Sequence, residues 1–171
     1  VAMTGTTLIF IKGINFLLEN LLQSMLLAFF IISIIMSLLF KNFKMVLISL
    51  IPNIIPLIIA GGIMGYFNIP LKPSSALVFS IVFGISVDYS IHFLAKFKNE
   101  LLSKGLEDSI INTINQTGRS MIFTSFILFF GFIIFAFSNF GGTIVLGVLT
   151  SIILFVAMIT NLTLLPSIIL Y

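Results

Sequence analysis

Long, nearly unbroken apolar runs dominate the chain, and their length rather than their periodicity sets the expected elements. Runs at 21–40, 45–67, 74–95, 121–138 and 143–169 each approach the roughly 20 residues that cross a hydrocarbon core, so each predicts a membrane-spanning helix. Polar stops separate them. Lys41-Asn-Phe-Lys44 closes the first run, Lys96-Phe-Lys98-Asn-Glu100 closes the third, and Asn139-Phe-Gly-Gly142 reads as a tight turn between the last two. Pro52 and Pro56 interrupt the second run and predict a kink or hinge that frees backbone carbonyls. Between the third and fourth runs, Leu102, Leu106, Ile110, Ile111 and Ile114 recur at helical spacing among polar residues, which predicts an amphipathic helix over 100–116 along the membrane surface. Before the first run, Thr4 to Asn15 mixes Gly and Thr with the short alternation Thr7, Leu8, Ile9, Phe10. That pattern predicts a strand end or loop leading into a helix.

Residues 1–18 are therefore expected to be the tail of an extracytoplasmic domain, and 19–171 a five-helix membrane domain. The opening at Val1, without the basic start and short apolar core of a secretory signal, fits a piece of a longer protein.

Composition agrees with lipid as the solvent. Of the 171 residues 60% are hydrophobic and 8% charged, and the mean hydropathy is +1.30, against about 25% charged residues in soluble domains. The fold class expected is an all-α membrane protein of five transmembrane helices plus one cytoplasmic amphipathic helix. With no cysteine and a single histidine, disulfides, thiolate nucleophiles and a metal-ligand cluster are excluded. No phosphate-binding glycine loop is present either, so no enzyme and no cofactor is expected. The net charge of +3 is dispersed over membrane-edge loops, which argues against a nucleic-acid partner. Lys41, Lys44, Lys96, Lys98, Lys104 and Arg119 fall on one side of the five spans, against Lys12 and Lys72 on the other. The excess puts loops 41–44 and 96–119 in the cytoplasm and the N-terminal stub outside.

Asp88 is the one carboxylate inside an apolar run. It lies roughly 21 Å along the helix from Ser74 and about 12 Å from Lys96, too deep for its short side chain to reach water. Burying a carboxylate at such depth costs at least ~2.5 kcal/mol, a cost met where the residue pairs, binds an ion or carries protons. Asp88 is thus expected to face the bundle interior. Ser80, Gly84, Asp88 and His92 follow at i+4, a small-residue stripe expected to bring a partner helix close to the carboxylate. His92, one turn nearer the cytoplasm, is a candidate proton relay or an interfacial hydrogen-bonder. Tyr89 and Ser90 are candidate donors, as are Thr124 and Ser125 at comparable depth on the next helix. Pro52, Asn53 and Pro56 form the candidate hinge.

Several stretches resemble, in order, the resistance-nodulation-division (RND) superfamily of transporters. They are Asn20-Leu-Leu-Gln-Ser24, Ser49-Leu-Ile-Pro-Asn-Ile-Ile-Pro56, Gly65-Tyr-Phe-Asn-Ile-Pro70, Phe83-Gly-Ile-Ser-Val-Asp-Tyr-Ser-Ile-His92, Thr117-Gly-Arg-Ser120 with Thr124-Ser125, and Leu164-Leu-Pro166. The match is closest to the hydrophobe/amphiphile efflux and MMPL branch, related to Patched and to sterol-sensing domains. The resemblance implies two repeats, each with one helix, a large exported domain and five more helices, of which this chain is similar to the last five. It also implies a proton-relay role for Asp88, with Tyr89 and Thr124 or Ser125 beside it, and the proton as coupling ion.

The function expected is a fragment of a proton-motive-force-driven exporter of hydrophobic or amphiphilic molecules, lipids included, in a bacterial inner membrane. Its partners would be the other repeat, the exported domains and a hydrophobic small molecule or lipid, and a homo-oligomer is compatible with this. The alternatives are a sterol-sensing-like lipid-binding regulatory module and a protein-export auxiliary subunit of the same superfamily.

Overall fold

A computed structural model describes residues 6–40 and 43–170. Among them the order is α1 (Thr6–Phe40), α2 (Phe43–Tyr66), α3 (Pro73–Leu101), α4 (Leu106–Thr113), a π-helical turn (Ile114–Gly118), α5 (Arg119–Ile133), a 3₁₀ turn (Ile134–Phe137) and α6 (Gly141–Leu170). No strand occurs among the described residues. Five helices are long and apolar enough to cross a membrane, as lipid requires of backbone that has no water to bond.

Two elements begin elsewhere than their sequence pattern suggests. From Thr6 onward the segment expected to be a strand end or loop is already helical, and α1 runs 35 residues without a break. At 1.5 Å per residue this is about 52 Å, well beyond the ~30 Å hydrocarbon thickness. A short alternation such as Thr7 to Phe10 cannot outweigh helix propagation from the long apolar run behind it. Residues 1–5 of the expected tail, and Lys41 and Asn42 of the expected loop, lie outside the described residues. The amphipathic stretch is α4, which starts at Leu106 rather than near residue 100. Glu100 still belongs to α3, where its carboxylate pairs with Lys96 (2.9 Å) and Lys104 (2.8 Å), and its carbonyl accepts the N–H groups of Ser103 and Lys104. The chain turns there and α4 then continues through the π turn into α5. Ser109, Ile110 and Thr113 are its buried positions.

The core lies among α2, α3 and α6. Leu57, Ala60 and Met64 of α2 meet Val78, Val82, Phe83 and Val87 of α3 and Leu149, Ile153 and Leu154 of α6. A second cluster toward the other end joins Met36, Tyr89, Phe93, Leu94, Met121, Met158 and Leu165. By contrast α1 and α5 are exposed along most of their length, the condition of helices that border lipid or another membrane segment. Where α5 ends, its 3₁₀ turn lies against Gly147 of α6 so closely that a Cβ there would sit 2.6 Å from the Phe132 carbonyl oxygen and 2.6 Å from Phe135 Cβ.

Pro52 and Pro56 lie inside α2, which nonetheless runs unbroken from Phe43 to Tyr66. Each proline lacks the N–H that would bond the carbonyl four residues earlier, leaving those of Ile48 and Pro52 without that partner. Thr160 of α6 sets its Oγ1 3.5 Å from the Pro52 carbonyl oxygen, a long contact that offsets part of the loss.

Candidate functional site

Helix α3 carries polar residues on two opposite faces. Residues two apart on a helix are separated by roughly 200°, so Ser86 and Ser90 point away from Asp88 and His92. The serines face inward, fully buried. Asp88 therefore faces outward, and the expectation that it points into this bundle is corrected: its side chain is 62% exposed and that of His92 69% exposed. Ser80 and Gly84 share that exposed face, and nothing lies within 4 Å of a Cβ built on Gly84. The small-residue stripe exists, but open clefts rather than close helix packing border it: Ser80 lines one with Asn20 and Ser24 of α1, and Asp88 and His92 line another. The inward side of α3 is occupied by α2 and α6, and the Asp88 side is the more exposed one.

Asp88 is not without polar neighbours. His92 Nε2 lies 3.2 Å from its Oδ1. The pair sits in an open cleft of about 480 Å³ between α3 and the π turn with α5, lined on one side by Tyr89, Lys96 and Asn99 and on the other by Gln116, Thr117, Ser120 and Thr124. From Asp88 to Asn99 the cleft follows α3 for about 16 Å toward the lysine-rich end. The π turn helps shape its far wall, since Gln116 and Thr117 belong to it. Such turns insert an extra residue per turn and recur at functional sites.

The structure separates the two candidate hydroxyls of α5. Ser125 is fully buried and bonds the Tyr89 hydroxyl at 2.6 Å, tying α3 to α5 just behind the cleft. Thr124 lines the cleft itself while its hydroxyl donates back to the Ser120 and Met121 carbonyls of its own helix. Tyr89→Phe is expected to cost roughly 0.6–1 kcal/mol, the usual worth of one hydroxyl bond between membrane helices, because Ser125 is left without its partner. Unfolding in mixed micelles measures this, and an unchanged stability would remove the bond from the account.

Ser90 was a candidate donor to Asp88, but it serves the opposite face. Its hydroxyl lies 2.6 Å from Asn161 Oδ1 on α6 and 3.0 Å from Asn53 Oδ1 on α2. Ser86 donates to Asn53 Oδ1 at 2.8 Å and accepts from Asn161 Nδ2 at 3.1 Å. Asn53 Nδ2 and Asn161 Nδ2 each also donate to a carbonyl one turn back in their own helix, Ser49 at 2.8 Å and Ala157 at 2.9 Å. Asn53, Ser86, Ser90 and Asn161 are all fully buried. This knot joins α2, α3 and α6 at the level of Pro52 and Pro56, and Ser86 and Asn161 are the members that sequence reasoning missed. A signal was available, for Ser86 and Ser90 form a second i+4 polar pair, and Asn161 is an amide deep in an apolar run.

The family model described as "MMPL family" matches residues 1–171. A curated membrane protein of Methanocaldococcus jannaschii is 29% identical over 140 residues, which is 81% of this chain and 36% of that protein. The chain thus spans little more than a third of the length of that relative. No solved structure matches it.

Proposed function

Because the chain belongs to the MMPL family, whose members are membrane transporters, we propose that it is the proton-coupling half of an exporter of hydrophobic or amphiphilic molecules, lipids included. The observation that carries this reading is the Asp88–His92 pair, set at mid-span on the exposed face of a helix otherwise built into the core. A carboxylate and an imidazole turned to acyl chains would be costly, so that face calls for protein or water against it. The other repeat of the transporter supplies such a cover. Its arrival would close the cleft over Asp88 and leave it a narrow polar path toward Lys96 and Asn99.

Asp88 then alternates between a charged and a neutral state, and the change biases how α3 packs against the covering repeat. Tyr89, Thr124, Ser125 and His92 are the side chains that hold or pass the proton in this reading. The lysine-rich ends of the helices face the cytoplasm across the cell's plasma membrane.

Reaction with N,N′-dicyclohexylcarbodiimide, which attacks protonated carboxyls in apolar surroundings, provides the test. In the full-length protein, labelling of Asp88 followed by peptide mass spectrometry is expected to fall as pH rises, because the protonated acid is the form that reacts. Labelling that never varies with pH, together with sterol or hopanoid binding that is equally indifferent to pH, would favour the lipid-sensing alternative instead.

A further inference from the structure

The buried knot behind Asp88 holds one unequal member. The amide orientations of Asn53 and Asn161 are fixed, because each Nδ2 faces a backbone carbonyl, of Ser49 and of Ala157, that can only accept. Both Oδ1 atoms must then face the serines. Starting from Ser90, the bonds run in one direction: Ser90 to Asn161 Oδ1, Asn161 Nδ2 to Ser86, Ser86 to Asn53 Oδ1, and Asn53 Nδ2 to the Ser49 carbonyl. Every side chain is satisfied, yet the Ser90 hydroxyl, with its single proton, has a choice. Asn161 Oδ1 on α6 lies 2.6 Å away, Asn53 Oδ1 on α2 3.0 Å and the Ser49 carbonyl 3.4 Å. A displacement of α3 by a few tenths of an ångström exchanges the nearer acceptor for the farther; Asn53 Oδ1 then accepts from both Ser86 and Ser90 while Asn161 Oδ1 gives up its Ser90 donor, so the second arrangement is the costlier of the two.

We propose that Ser90, Asn53 and Asn161 are positioning residues for Asp88. In this assignment α3 has two hydrogen-bonded registers, with the Ser90 proton on Asn161 in one and on Asn53 in the other, and the charge state of Asp88 on the opposite face selects between them. The two-register element is what a coupling claim requires physically, and the buried setting makes each bond count. The proposal rests on the reading that Asp88 takes up protons. The titratable or charged groups lining the cleft with Asp88 are Tyr89, His92 and Lys96, all on α3. The π turn and α5 bring Gln116, Thr117, Ser120 and Thr124 to it, none of which titrates. The knot consists of amides and hydroxyls, so its effect on Asp88 passes through helix position and not through charge.

The experiment compares the pH midpoint of carbodiimide labelling at Asp88 in the full-length protein among wild type, Ser90→Ala and Ser151→Ala. Ser151 is an equally buried serine of α6 whose hydroxyl bonds the Val148 carbonyl of its own helix. Coupling is reciprocal, so removing the hydroxyl that exchanges acceptors is expected to move the Asp88 midpoint by about half a pH unit or more, a threefold change in proton affinity. Ser151→Ala is expected to leave it in place. Ser86→Ala, read in the same way, replaces Ser90→Ala should the latter fail to fold. A midpoint identical in wild type and the knot variants overturns the positioning role while leaving proton uptake by Asp88 intact. Labelling in wild type that does not depend on pH overturns both.

Discussion

Replacing Asp88 by Asn in the full-length protein is expected to reduce proton-coupled transport to background while leaving membrane insertion unharmed. The amide keeps the size and most of the hydrogen-bonding capacity of the carboxyl, so His92 and the cleft residues keep a neighbour. It cannot, however, gain or lose the proton, and a site locked in one charge state has no means of biasing α3 between arrangements. Insertion becomes easier, since a neutral side chain costs less at mid-bilayer than a charged one. Proton flux into vesicles carrying an imposed pH gradient, read with a trapped indicator, makes the comparison. Flux equal to that of the unaltered protein would end the proposed mechanism, whatever the fate of the cargo.

The second large effect is one of packing and owes nothing to protons. Gly147→Ala is expected to destabilise the bundle by about 1–3 kcal/mol, the usual cost of overfilling a packed site. The added carbon would meet the Phe132 carbonyl oxygen and Phe135 Cβ at 2.6 Å each, with the Ala136 nitrogen at 3.2 Å. These are atoms of the helix main chain or fixed to it, so α5 and α6 must separate to admit the methyl, and α5 is also the helix that walls the cleft. Gly131→Ala is the control, because nothing lies within 4 Å of its Cβ position and alanine favours helix over glycine. Unfolding in mixed micelles should show the first variant weakened and the second unchanged or slightly strengthened. Equal stabilities would mean that the close approach at Gly147 is not maintained.

The spans were legible because lipid leaves a sequence few options. A run such as 143–169 has no charged residue to mark a loop, and the helix found, Gly141–Leu170, differs from it by a residue or two at each end. The family resemblance was equally legible, since its pieces fall in order along the chain and the family model covers all of it. Orientation about each helix axis was not. Around α3 every face is largely apolar, so no contrast between core and solvent tells which side turns inward. The rule that an acidic residue faces the interior applies to a whole membrane domain, and the inside of a whole can be the outside of one part. What settled the matter was the pair Ser86 and Ser90, which claims the inward face together with Asn53 and Asn161. Uncharged amides and hydroxyls draw less notice in a sequence than a carboxylate, although they organise this bundle. The π turn at Ile114–Gly118 left no trace in the spacing of apolar residues either, because a single added residue shifts a helical pattern by less than the width of its apolar stripe.

The length of α1 has a mechanical consequence. It packs against α2 and α3 within the bilayer and continues as one unbroken rod of 35 residues, leaving about 20 Å beyond the hydrocarbon. A stiff shaft of that kind works as a lever. A tilt of about 5° at Phe29, where α1 packs on Phe83 of α3, swings the Thr6 end about 35 Å away by roughly 3 Å, so a small rearrangement at the seat would be delivered, magnified, to the far end of the shaft.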